Sequence, residues 1–450
     1  MKKIITTISI YAVAVLTAAV CFTACEDEPD RFVLADGKPT VYYVRPQKAA
    51  AADSLLTGAY MGNGICIIGD NLRSVYKLLF NDQEAILNNS FITDNAILVE
   101  VPNEIPGEVS NLMYLITKGR DTVKYEFKVL VPSPSIYTLS NEYAPAGSTV
   151  TLRGDYFVDD PNVPLKVFVG KAEAKVKSIA KTAITFEMPV SDEAPVTVTN
   201  IYGEATSVFH YKDSRGMLFN FDDDPHPTNH GWHNQVIESD ETSLTGNFLR
   251  LGAPGVTMSA AGGWNDSNFS FEYWPGNWAD PETYAGGERL TDFADFSDWQ
   301  NMSLKFELFV PSSNPWMAGS MQLIVGGVDK ISSGNAGVKD IYGNTLAGCN
   351  NTYFNNLNLP RGIYAPWYGS GSFDTGDQWI TVSFPYTDFV YGRDGNLAKG
   401  DPLTADDFTS LAIFVCSGSG ETDDVKGIYQ SGTECEPIIK IDNIRAVPNK

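Results

Sequence analysis

Positive charge is in short supply in this chain. Its 450 residues include 32 Lys and Arg against 55 Asp and Glu, a formal net charge of -23. So acidic a molecule repels phosphate backbones, which excludes nucleic acid as a partner and disfavours sulfated or carboxylated glycans. Cysteine is scarce as well. There are six, none in a CxxC pair, so no zinc ribbon or thioredoxin-type site is encoded. No P-loop, HExxH or nucleophile elbow occurs. The Glu-x-Asp-x-x-Glu strand of jelly-roll glucanases is also missing. Long amphipathic stretches of helical period are absent, which excludes a helical bundle. Tryptophan is absent from the first 212 residues. All eight lie in 213–450, together with 31 of the 55 acidic residues. An uncharged partner, and one segment in which to look for it, are what these absences leave.

Enough apolar material remains for real cores. Hydrophobic residues make up 43% and charged residues 19%, which is not the profile of a disordered chain, and the length suggests about three domains. Met1-Lys2-Lys3 precedes an uncharged run, residues 4–24, and then Cys25 meets Glu26-Asp27-Glu28. A basic start and an apolar stretch read as a secretory signal over 1–24. Phe22-Thr23-Ala24-Cys25 resembles the bacterial lipobox, which implies that Cys25 becomes the lipidated first residue. The acidic triplet resembles a surface-export signal of Gram-negative bacteria. It implies the outer face of the cell outer membrane, with 25–37 as an acidic tether. No other segment is long and apolar enough to span a bilayer as a helix. Of the remaining cysteines, Cys66, Cys349, Cys416 and Cys435, the pair Cys416 and Cys435 is the first to test for a disulfide, with unpaired buried thiols as the alternative.

From Pro39 onward short β-branched and aromatic runs alternate with Gly, Asn and Asp turns, as in Thr40-Val41-Tyr42-Tyr43-Val44 and Ile65-Cys66-Ile67-Ile68. That texture predicts β-sandwiches. Two stretches repeat. Asp94 to Pro102 aligns with Lys181 to Pro189 at an offset of 87, sharing Ala, Ile, Glu and Pro. Ile68-Gly69-Asp70-Asn71-Leu72 echoes Arg153-Gly154-Asp155-Tyr156-Phe157. Each Gly-Asp pair suits a turn that tolerates positive φ. The pattern resembles the IPT/TIG immunoglobulin-like domain, which places one module over 38–132 and a second over 133–213. Pro132-Ser133-Pro134 reads as a stiff connector between them. Lacking Trp and convergent carboxylates, both modules read as spacers.

The segment 214–450 is dense in Gly, Asn, Asp, Ser, Tyr and Trp. Strand candidates 217–221, 303–310, 321–325, 379–384, 410–415 and 438–445 include several with period-two alternation and predict a jelly-roll β-sandwich. Its framing by Phe219-Asn220-Phe221-Asp222 and Lys440-Ile441-Asp442-Asn443-Ile444 resembles carbohydrate-binding jelly rolls, whose first and last strands pair. Trp299 and Trp379 border strong strands and read as core, and Trp232 as a buried corner. The loop aromatics are a different matter. Flat rings are set among Gly, Pro, Asn and Ser at Trp264, Trp274, Trp278, Trp316 and Trp367, and soluble proteins expose such sets for a reason. Rigid aromatics stack on the C–H face of a sugar while nearby amides bond its hydroxyl rim. The expected glycan-binding residues are Trp274, Trp278, Trp316, Trp367, Tyr273, Tyr364 and Asn277. They are chosen on loop context alone, each weighed against a Trp that plugs its own loop. No catalytic residue and no metal ligand is assigned. His226, His230 and His233 have a helical metal spacing, but Pro225, Pro227 and Gly231 break any helix there. No cofactor is called for. A structural calcium at Asp222-Asp223-Asp224 is the one alternative.

The order of parts, lipobox, acidic triplet, tandem IPT-like modules and Trp-rich terminal sandwich, resembles the surface glycan-binding proteins of polysaccharide-utilisation loci. The type is the one whose last domain is xyloglucan-binding. The resemblance implies a non-catalytic lipoprotein that holds polysaccharide at the cell surface, beside glycanases and a SusC/SusD-like import complex. Acidity favours a neutral glycan, and a flat platform favours a β-glucan: xyloglucan, mixed-linkage or β-1,3-glucan. An exported glycoside hydrolase and a surface adhesin are the competing readings.

Overall fold

A computed structural model describes residues 33–51, 53–222, 236–273, 288–327, 358–416 and 431–449. The chain parts into two units, one ending at Pro132 and the other running from Ser133 to Lys450.

The first unit is an Ig-like sandwich. Its strands are β1 (Thr40–Pro46), β2 (Gly58–Tyr60), β3 (Gly64–Asp70), β4 (Val75–Phe80), β5 (Gln83–Glu84), β6 (Ala96–Glu100), β7 (Leu112–Thr117), β8 (Thr122–Glu126) and β9 (Lys128–Leu130). They form the sheets β1-β3-β6 and β5-β4-β7-β8 and a short parallel pair, β2 with β9. Alternate residues turn inward, as period two requires. Val44, Ile65, Ile67, Ile97 and Val99 of one sheet are buried, as are Leu78, Phe80, Met113 and Leu115 of the other.

The second unit opens with a module of the same design. It comprises β10 (Ser135–Leu139), β11 (Thr149–Asp155), β12 (Lys166–Val169), β13 (Ala172–Glu173), β14 (Lys175–Ala180), β15 (Ala183–Glu187), β16 (Ala194–Asn200) and β17 (Gly203–Tyr211). The sheets are β10-β11-β15-β14 and β13-β12-β16-β17. Strands β6 and β15 stand at the 87-residue offset read from the sequence. The repeated glycines have a steric cause that differs from the turn expected. A Cβ on Gly69 would lie 1.9 Å from the Thr40 carbonyl oxygen, and one on Gly154 would lie 1.9 Å from that of Ser135. In each module the neighbouring strand bulges at that point, between Val41 and Tyr43 and between Ile136 and Thr138. Glycine admits the close approach. The positive φ falls two residues later, at Asn71 and Tyr156, both 56°.

The rest of the second unit is a larger sandwich. Its strands are β18 (Met217–Phe219), β19 (Val236–Glu238), β20 (Phe248–Leu251), β21 (Ser270–Tyr273), β22 (Met302–Phe309), β23 (Ser320–Gly326), β24 (Gly362–Tyr364), β25 (Ile380–Pro385), β26 (Ser410–Cys416) and β27 (Ile439–Pro448). A six-stranded sheet, β19-β20-β27-β22-β25 with β18 on β27, packs against a four-stranded one, β21-β26-β23-β24. The first and last strands do pair, Met217 with Arg445 and Phe219 with Ile444. Between the sheets lies one core built from Phe219, Phe271, Leu304, Phe306, Leu323, Ile413, Ile441 and their neighbours. Cys66, Cys416 and Cys435 are buried free thiols, so the Cys416–Cys435 disulfide is not formed, and Cys349 lies outside the described residues.

The sequence break at 213/214 is not a loose linker. Lys305 and Glu307 on β22 and Arg445 on β27 point out of the six-stranded sheet, away from its core. Glu142 of the Ig-like module meets them there. Its carboxylate accepts from Lys305 Nζ at 2.6 Å and from Arg445 Nη2 at 2.8 Å, while Arg445 also holds Glu307 at 2.7 and 3.1 Å. All four are buried. The backbone N–H of Glu142 donates to Thr381 Oγ1 at 2.7 Å, the Thr381 N–H donates to the Ser140 carbonyl at 2.9 Å, and the Tyr143 ring lies 5.0 Å from the Arg445 guanidinium. At the junction itself the buried Asp213 carboxylate accepts from Arg215 Nε and Nη2 at 2.8 and 2.7 Å.

Candidate functional site

Three of the residues expected to bind sugar are core residues in the structure. Trp316 and Trp367 are buried, and their indole N–H groups converge on one turn. Trp316 donates to the Ala318 and Gly319 carbonyls at 2.7 and 3.2 Å, and Trp367 donates to Gly319 at 2.6 Å. Tyr273, fully buried on β21, donates its hydroxyl to the Glu288 carbonyl at 2.7 Å. Loop composition misled here because these loops fold inward. Trp316 and Phe373 exchange two backbone hydrogen bonds, both 2.9 Å, which draws the 365–375 connection over the sandwich end and buries the rings. Tyr364 is half-buried, edge-on to Trp316 at 6.1 Å, and burial pushes its hydroxyl up to about 12. Trp379 and Trp299 pack as expected, Trp379 donating to the Thr242 carbonyl at 2.6 Å. Trp274, Trp278, Asn277, Trp232, the three histidines, Asp223 and Asp224 lie outside the described residues.

The chemistry suited to a sugar lies on the outer face of the four-stranded sheet. On β26, Leu411, Ile413 and Val415 feed the core, so Ala412, Phe414 and Cys416 project the other way. Trp264 lies flat on Phe414, centroids 4.9 Å apart and planes at 22°, and is itself half-buried. The neighbouring β23 contributes Gln322, whose side-chain oxygen accepts from Arg361 Nη1 at 2.8 Å and whose amide faces Cys416 Sγ at 3.5 Å. Arg361 is fixed from behind by backbone bonds with Tyr391, 2.8 and 3.2 Å. On β21, Ser270 stands opposite Phe414 in the same row, and Glu272 stands opposite Ala412, the next outward-facing position along the sheet. Buried polar groups locked by one another keep their orientation. Gln322, Arg361, Glu272 and Phe414 are themselves buried, so within this group the half-buried Trp264 is the side chain that presents a flat surface to a sugar. Sequence reasoning named Trp264 but passed over Gln322, Phe414 and Arg361. The signal was Gln322 within the apolar run Met321-Gln322-Leu323-Ile324-Val325, and Phe414 out of phase with its strand's core face.

Comparison with known families completes the picture. The model described as the surface glycan-binding protein B xyloglucan binding domain matches residues 211–448, and the IPT/TIG domain model matches 134–212. This chain belongs to the surface glycan-binding protein B family. A solved surface glycan-binding protein B from Prevotella bryantii is 50% identical, with 93% of this chain and 100% of that chain aligned at a TM-score of 0.83. An IPT/TIG domain-containing protein of Bacteroides ovatus is 29% identical over 140 residues. That match covers 30% of this chain and 28% of the relative, so only a minor part of the Bacteroides ovatus protein is spanned. Proteins of the surface glycan-binding protein B family bind carbohydrate without cleaving it, and the chain is a glycan-binding protein rather than an enzyme.

Proposed function

We propose that the chain holds a neutral β-glucan, xyloglucan before mixed-linkage or β-1,3-glucan, on the outer face of the four-stranded sheet. The Trp264 ring stacked on Phe414 is the observation that carries the reading, because it fixes a flat, half-buried indole on that face, over the strand position whose neighbour Gln322 is held by Arg361. The match of 211–448 to a xyloglucan-binding domain supports the choice of glycan. So does the excess of acid, which leaves a neutral polysaccharide as the favoured partner. Trp274, Asn277 and Trp278, which follow β21 in the sequence, belong to the same proposal. Anchored through a lipid on Cys25 at the outer membrane, the protein would present captured glycan to surface glycanases and a SusC/SusD-like import complex. Affinity electrophoresis against neutral polysaccharides tests the reading. Retardation by xyloglucan that Trp264→Ala reduces at least tenfold in affinity, the scale of a lost stacking ring at a binding hot spot, is expected. Wild-type protein unretarded by every β-glucan, or Trp264→Ala binding as well as wild type, would overturn it.

A further inference from the structure

The two Ig-like modules share a design but not a full set of strands. In the second, β14 closes its sheet by pairing antiparallel with β15, Val176 opposite Phe186 and Lys175 opposite Glu187, and Lys175 Nζ lies 3.2 Å from the Glu187 carboxylate. In the first, β6 is the outermost strand of its sheet. The chain leaves β5 and β13 by the same turn. Ala85 N–H donates to the Leu78 carbonyl and Ala174 N–H to that of Val167, both at 2.9 Å. There the likeness ends. Asn88 accepts from the Ser90 N–H at 3.0 Å and starts a 3-10 turn over Asn89–Phe91. The segment returns to β6 by a single bridge, Ile92 to Ile97. Asn and Ser side chains that bond the local backbone compete with strand pairing, so Asn88-Asn89-Ser90 diverts what would have been the fourth strand.

The diversion leaves a groove of about 700 Å³ along β6. Val99 lies in it, and Ile86 and Phe91 flank it, 92% and 52% exposed. Glu84, Glu100 and Glu104 edge it, and no Lys or Arg is among its lining residues. Lys77 answers Glu84 at 2.7 Å, but among the described residues Glu100 and Glu104 are in no ion pair. At the 87-residue offset Glu100 stands where Glu187 stands, without its lysine.

We infer that this groove is a docking slot for an extended segment of a partner protein, which adds to β6 as an antiparallel strand. A free strand edge supplies backbone hydrogen bonds to any extended peptide, and side-chain pockets choose among them. Charge chooses here. The segment alternates Lys or Arg with β-branched residues, puts a cation opposite Glu100 and turns the next side chain in over Val99. The pattern is that of Lys175-Val176-Lys177-Ser178-Ile179-Ala180, which fills the same slot in the second module. An acidic segment such as this chain's own residues 26–30 would be repelled.

The test uses the full chain and a dye-labelled peptide copying residues 172–181. Peptide binding should raise anisotropy and slow amide hydrogen exchange over Leu98–Glu100, the part of the β6 edge beyond the Ile92 bridge, but not across Ala183–Glu187. Glu100→Lys should weaken it about fivefold or more, as loss of a partly exposed ion pair and its reversal would. Ile86→Asp, at a side chain too exposed to matter for folding, should weaken it as well. A peptide with Lys175 and Lys177 replaced by Glu should not bind. No binding at millimolar peptide, slowed exchange at β15 in place of β6, or indifference to Glu100→Lys would each overturn the proposal. So would protection of the β6 amides by a neutral oligosaccharide, which would make the groove a sugar site.

Discussion

Glu142 and Glu307 set two buried negative charges against the two positive charges of Lys305 and Arg445, so the cluster is neutral only while all four are present. Truncating one partner of such a set strands a charge away from water. Glu142→Ala should therefore cost about 3–5 kcal/mol of stability, read as a lowered urea midpoint. Asp442, on the same strand as Arg445, behaves differently. Burial pushes its carboxyl up to about 8, the Asn443 N–H and Arg445 oppose this, and Glu307 and Asp222 add to it. The folded state thus holds a proton that the unfolded chain releases near pH 4. Because the folded state binds more protons between those values, stability falls as pH rises from about 4 to about 8, by up to about 1.4 kcal/mol per pH unit. Asp442→Asn keeps the shape without the charge. Its urea midpoint should fall less between pH 5 and pH 8 than that of the wild type, and equal slopes would refute the assignment.

Among the elements, the repeated Gly-Asp pairs carry the sharpest steric demand. A methyl group at Gly69 or Gly154 would overlap a neighbouring carbonyl oxygen, which only a shift of strand backbone relieves. Gly154→Ala should destabilise its module by about 1–3 kcal/mol, as overpacking does, with a matching drop in melting temperature. The duplication and most strand positions could be read from the sequence, because alternation and turn residues act locally. The long strands 303–310 and 410–415 lie within a residue of β22 and β26, and 438–445 falls on β27, which runs three residues further, to Pro448. The site was harder to read. A Trp among Gly, Pro and Asn looks the same whether its loop swings out or folds back, and Trp316 and Trp367 fold back because one turn offers carbonyls to both indoles. Gln322 and Arg361 meet only when β23 and β24 pair, and no local pattern announces a contact between residues 39 positions apart.

On the scale of the whole molecule, the last two of the three sandwiches pack as one unit. One unit ends at Pro132, and the second Ig-like module belongs with the glycan-binding sandwich. A fragment of 214–450 would bare Lys305, Arg445 and the outer face of the six-stranded sheet. It should be insoluble or melt well below a fragment of 133–450, which should unfold in one calorimetric transition. Two resolved transitions for 133–450 would show the junction to be weaker than its geometry implies. The buried carboxylate of Glu142 also bears on descent. Recombination that moved the sugar-binding sandwich to a new chain would have to carry the preceding module with it, so the inheritable cassette is 133–450, while the first module is free to be lost, copied or exchanged.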